Sequence, residues 1–147
     1  MIVRATPEML PDIAPMISEF HAAANAPGSF CTETWVARWS HFIETEHAFI
    51  LCYQDEDGVP VGVLGGFLTE DPCDGVLCSH EAFWYVTPEA RGVGMQLLDA
   101  FMSVSKALGA GRLMMGHTQD LRPEALARIY RRKGFRPIET MYTKELV

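Results

Sequence analysis

Residues 84–101, WYVTPEARGVGMQLLDAF, join an aromatic run to a helix-like apolar pattern through a proline and two glycines. The first N–H groups of any helix lack an internal partner, and together with the helix dipole they attract an anion. Gly92 and Gly94 carry no side chain that would keep an anionic group at a distance. The turn Arg91-Gly92-Val93-Gly94-Met95-Gln96 is therefore a candidate cradle for a diphosphate, with Arg91 adding charge at its mouth. A tight turn that serves only the chain is the other reading. Two better-known phosphate loops are excluded. No G-x-x-x-x-G-K-[ST] occurs, and the dinucleotide fingerprint G-x-G-x-x-G finds only GVG, with Leu97 where the third glycine should stand. Cys73, Cys78 and His80 match no common zinc spacing, so no metal is expected. The four cysteines, Cys31, Cys52, Cys73 and Cys78, form no C-x-x-C pair and read as free thiols.

The elements that must position this turn follow from pattern. MIVRA reads as a first strand. Thr6 then caps a helix with Pro7 at its first position, and Met9, Ile13, Met16, Ile17 and Phe20 recur at helical spacing. A break at NAPG precedes a second helix over residues 34–43, where Trp35, Trp39 and Phe42 share one side. HAFILCY and VPVGVLGGFLT are strands joined through Asp57-Gly58, a hairpin signal. VLCSHEAFWYV is a long fourth strand, on which alternation places Glu81, Phe83 and Tyr85 on one face. A helix from Val93 stops at Gly109, RLMMGHT is a fifth strand, and a helix over residues 124–133 closes at Gly134. FRPIETMYTKEL completes the pattern as two short strands bent at Pro137. The order predicts an α+β fold: a mixed, mostly antiparallel central sheet of about seven strands flanked by about four helices.

The chain has 147 residues, 48% hydrophobic and 21% charged, which fits a single domain over residues 1–147. A net charge of -7 argues against nonspecific nucleic-acid binding, which needs Lys and Arg against phosphates. It is compatible with a cationic substrate and, more simply, with solubility. No run approaches a membrane span, and the N-terminus lacks a signal-peptide pattern, so a cytoplasmic protein without membrane contact is expected.

The glycine turn has specific neighbours. V-x-P-E-x-R-G-x-G followed by LL resembles the acyl-CoA-binding motif of the GNAT superfamily of N-acetyltransferases, [QR]-x-x-G-x-[GA]. Downstream, beyond the third helix and the fifth strand, ALARIYRRKGF resembles the family's A-x-x-L-Y-x-K-x-G-F segment. The element order of the whole chain is similar as well. HEAFWYVTPEARG also resembles GNAT-like proteins of bacteriophages and prophages. Two positions depart from the pattern. Gln96 replaces the usual Gly or Ala and must point away from a cofactor or hydrogen-bond to it. Pro123 stands where many members carry an Asn that helps hold the cofactor arm.

The resemblance implies that acetyl-CoA, as cosubstrate, donates its acetyl group to a primary amine in a ternary complex. The turn at Arg91, Gly92, Val93, Gly94, Met95 and Gln96 would take the diphosphate, and the backbone of Tyr85, Val86 and Thr87 would pair with the pantetheine arm. A lysine-like amine has a pKa of about 10.4 and must lose a proton before it attacks. Glu81 lies close to the catalytic glutamate of several members and is the candidate base; an edge-of-sheet charge or an ion pair is its plainer reading. His80 and His117 are weaker candidates, each explained equally as an ordinary surface or core histidine. Tyr130 matches the tyrosine that protonates the departing thiolate, and core packing with Leu126 and Ile129 competes with that role. Arg128, Arg131 and Arg132 either approach cofactor phosphates or form a solvated helix face. Residues 22–39 would shape the acceptor pocket, for a small-molecule or protein amine, and homodimers are common in the family. A noncatalytic acyl-CoA-binding domain on the same fold is the alternative function, and a nucleotide-binding domain is a third.

Overall fold

The computed structural model describes residues 1–90 and 92–147. Its strands are β1 (Ile2–Arg4), β2 (Ala48–Gln54), β3 (Pro60–Glu70), β4 (Leu77–Val86) and β5 (Arg112–Met114). Its helices are α1 (Leu10–Ala23), α2 (Thr32–Glu44), α3 (Val93–Ala107) and α4 (Pro123–Arg132). The sheet runs β1-β2-β3-β4-β5 in space; neighbours are antiparallel except β5, which lies parallel to β4.

Both faces of the sheet are covered. Ile50 and Val63 join Leu10, Ile13 and Ile17 of α1 and Trp39 of α2 in one cluster. Phe49, Leu51 and Leu64 point the other way, onto Leu97, Leu98 and Phe101 of α3. A strand buried on two faces needs apolar residues at every position, which explains the unbroken AFIL at the start of β2. The aromatic residues of α2 belong to the first cluster: Trp39 packs 4.8 Å from Phe67 and 5.1 Å from Phe83, centroid to centroid.

Three expectations are corrected. The mixed α+β fold with four helices stands, but the sheet has five strands rather than about seven. Residues 136–147 form no strand and are exposed throughout. Among the described residues no strand pairs with them, and Pro137 brings no N–H to a ladder. Thr6 makes no side-chain cap; Pro7–Met9 form a short 3-10 turn instead, and α1 begins at Leu10. The expected strand over RLMMGHT closes after Met114, so residues 115–118 are free to line a site.

Candidate active site

The site forms where β4 and β5 part. Their ladder pairs Cys78 with Arg112, Ser79 with Leu113 and His80 with Met114, then ends. β4 continues to Val86 with, among the described residues, only β3 paired beside it. Opposite Gly65 and Gly66 the register slips: Gly65 faces Phe83 and Gly66 faces Glu81, leaving Ala82 as an extra residue. The two glycines permit this bulge. A Cβ on Gly66 would lie 2.6 Å from the carbonyl oxygen of His80, and one on Gly65 would lie 2.5 Å from the Phe83 ring.

The bulge overturns the expected alternation. Phe83 and Tyr85 pack with the α1 and α2 cluster, whereas Ser79, an even number of residues back, hydrogen-bonds Ser105 of α3 at 3.0 Å. Glu81 shares a face with neither aromatic residue. Its Oε2 accepts the N–H of Gly116 at 3.2 Å, beyond the end of β5. Burial raises its pKa to about 7, against the smaller opposing effect of the Gly116 N–H.

Tyr130 reaches the same residue from α4. Its hydroxyl donates to the Gly116 carbonyl at 2.6 Å, and its ring lies 6.4 Å from Trp84. Burial first, then the negative charge of Glu81, raises its pKa far above the ordinary phenol value. Gly116 thus holds the candidate base by its N–H and the candidate acid by its C=O. Between them lies a cavity of about 150 Å³, walled by Phe20 of α1, Ala82 and Trp84 of β4, Thr118, and Leu126 of α4. The hydroxyl of Thr118 is buried and has no hydrogen-bond partner among the described residues. Gly116, Thr118, Phe20 and Trp84 escaped the sequence reading; the GHT that ends the fifth apolar run was the available signal. His117 also lines this cavity, while His80 sits in the β4 ladder opposite Phe67.

The glycine turn meets the free edge of β4. Gly92 caps α3 with φ 97°, a left-handed conformation that favours glycine, and an added Cβ there would meet nothing within 4 Å. Gly94 sits over Trp84 and Val86, each 3.6 Å from where its Cβ would be. Met95 and Gln96 are exposed, and Val93 is half-buried. Arg91 lies outside the described residues. On β4, the Thr87 N–H donates to Val61 O at 2.9 Å, so Thr87 and, by alternation, Tyr85 direct their backbone groups toward β3. Val86 and Trp84 turn theirs to the open edge. The Tyr85 side chain lies elsewhere, donating to Glu19 of α1 at 3.0 Å.

An open strand edge, an unscreened helix start, a glycine with empty space above it and an orphaned buried hydroxyl fit a long ligand bearing both an anionic and an amide-like part. Among the described residues no cluster of His, Cys, Asp or Glu is arranged to hold a metal ion, and no helix is long and apolar enough to cross a membrane.

Solved structures share this fold. The fold matches the crystal structure of a probable acetyltransferase over 100% of this chain and 98% of that one, with a TM-score of 0.81 and 21% identity. It also matches a ribosomal-protein-alanine N-acetyltransferase from Brucella melitensis biovar Abortus 2308 over 99% of each chain, with a TM-score of 0.74 and 17% identity. A third match is AAC(6')-Iy in complex with the bisubstrate analog CoA-S-monomethyl-acetylneamine, over 100% of this chain and 97% of that one, TM-score 0.77 and 16% identity. No curated protein matches the sequence. The family model described as acetyltransferase (GNAT) family matches residues 15–135, most of the chain, and the protein belongs to that family.

Proposed function

We propose that this chain transfers an acetyl group from acetyl-CoA to a primary amine, by direct attack of the amine within a ternary complex. The observation that carries the reading is the double tie at Gly116, which sets Glu81 and Tyr130 together at one cavity, beside the open edge of β4. Bound acetyl-CoA supplies an acetyl group already activated as a thioester. Support for that cosubstrate comes from the family and from the CoA-based analog bound to one structural neighbour.

The chain's own residues would divide the work. The N–H groups of residues 93–96 would hold the diphosphate, with Gly92 and Gly94 giving it room and Arg91 adding charge. Gln96, being exposed, projects away from the α3 core and leaves the first turn accessible. The stretch Tyr85, Val86 and Thr87 would run beside the pantetheine arm, with the outward backbone groups of Val86 binding it and its N–H facing the acyl oxygen as charge develops there. Glu81 would take the proton of the incoming ammonium, a task suited to a carboxyl with a pKa of about 7. Tyr130, held protonated by its raised pKa, would turn its hydroxyl from Gly116 toward the leaving sulfur. The acceptor would enter past Phe20 on the α1 side and is a small-molecule or protein amine.

The test is a screen of acetyl-CoA with a diverse amine panel, reading free CoA thiol. Amine-dependent release that falls in both Glu81→Gln and Tyr130→Phe is the expected result. Tight CoA binding with no turnover on any amine would return the chain to a noncatalytic acyl-CoA-binding role.

A further inference from the structure

The cavity beside β4 holds one polar side chain to which the proposed reaction gives no task. Thr118 lines it, yet the Thr118 hydroxyl is buried and finds no hydrogen-bond partner among the described residues. Every other buried side-chain nitrogen or oxygen among them has one. A hydroxyl left in that state destabilises the free chain, and a ligand that bonds it removes the penalty. We propose that Thr118 is a specificity-determining residue of the acceptor site, its Oγ1 accepting one N–H of the incoming amine while Glu81 faces another, a role that rests on the acetyl-transfer reading of this same cavity.

The size of the space brings the two groups to one atom. A cavity of about 150 Å³ is, if round, about 7 Å across, room for one nitrogen between two hydrogen bonds of about 3 Å. An atom there that reaches Glu81 comes within reach of Thr118 as well. The chain fixes this placement. β5 ends at Met114, Gly116 is tied to both Glu81 and Tyr130, and Thr118 opens the turn toward α4, its carbonyl accepting the Leu121 N–H at 3.5 Å.

The amine has few other acceptors to choose from. An ammonium brings three N–H groups, and the neutral amine two. Phe20, Ala82, Trp84, Leu121 and Leu126 offer it no side-chain oxygen. The Tyr130 hydroxyl is committed to Gly116 and then to the leaving sulfur. His117 is exposed, where water serves it. Glu81 and Thr118 remain. Oγ1 lies in the cavity wall, and a step of about 120° about χ1 exchanges it with another substituent of Cβ. No hydrogen bond within the described residues is lost by that turn, so a bond to the amine is a net gain. Two fixed acceptors rather than one then hold the nitrogen for attack.

Thr118→Val keeps the shape and removes the hydroxyl, and Thr118→Ser keeps the hydroxyl. With the best amine from the acetyl-CoA screen, Thr118→Val should lower kcat/KM for the amine about 10-fold, and Thr118→Ser should stay within about threefold of the parent. The Kd for CoA, read by titration calorimetry, should be the same in Thr118→Val as in the parent. Without any ligand Thr118→Val should melt about 2–6 °C above the parent, because a methyl group replaces an unpaired hydroxyl. A side chain that only supported the fold would lose stability and activity together. An unchanged kcat/KM, a CoA Kd weakened in step with the rate, or a Thr118→Val chain that melts below the parent would each overturn the assignment. A parent that turns over no amine defeats the acetyl-transfer reading and this role with it, whereas a parent that turns over an amine beside an unaffected Thr118→Val defeats this role alone.

Discussion

A carboxyl that titrates near 7 serves as a base only on the alkaline side of that value. The rate of amine acetylation under subsaturating substrate should therefore climb with pH through about 7, not through the ordinary carboxylate range near 4.5. Glu81→Gln should lower the plateau about 100-fold or more and abolish that limb, as read from kcat/KM against pH. The same burial has a thermodynamic cost of opposite appearance. The folded protein binds the Glu81 proton more tightly than the unfolded chain does, so this group's contribution is fully favourable below about 4.5 and is lost as pH rises through about 7. Glu81→Gln should consequently be more stable than the parent at pH 8, by on the order of 1–3 kcal/mol, and equal to it near pH 4. Thermal melts across pH decide this, and a variant less stable at pH 8 would contradict the burial argument. Tyr130→Phe removes both a proton donor and the partner of the Gly116 carbonyl. It should cost about 1–3 kcal/mol of stability as well as activity.

At the level of elements, the glycines separate into two kinds with separable phenotypes. Gly66→Ala would push a Cβ into the His80 carbonyl and the Phe101 ring, and should destabilise by about 1–3 kcal/mol through overpacking. Gly92→Ala meets open space and strains only its positive φ, costing about 1 kcal/mol. Its main expected effect is a raised KM for acetyl-CoA, because the new methyl group faces the start of α3. These differences also mark what could be read beforehand. The α3 start and the Pro123 start of α4 were visible because glycine and proline punctuate locally. The position of Glu81 and Tyr130 as residues was visible from motif, but their meeting at Gly116 was not, since it depends on where two strands separate in space. The bulge at Ala82 was hidden for the same reason: periodicity assumes an unbroken ladder, and the signal for its failure lay in a different strand, at Gly65 and Gly66.

For the whole molecule, local pattern overstated the sheet. A strand-prone sequence becomes a strand only with a neighbour, and residues 136–147 find none among the described residues. Phe135 links this exposed segment to the site. It is the last residue anchored before the tail departs, and it rests directly on the ring of Tyr130. A disturbance at Phe135 is thereby a disturbance of the phenol held at the Gly116 carbonyl. Phe135→Ala should then lower turnover as well as melting temperature, so that a residue outside the cavity sets how firmly the cavity is built.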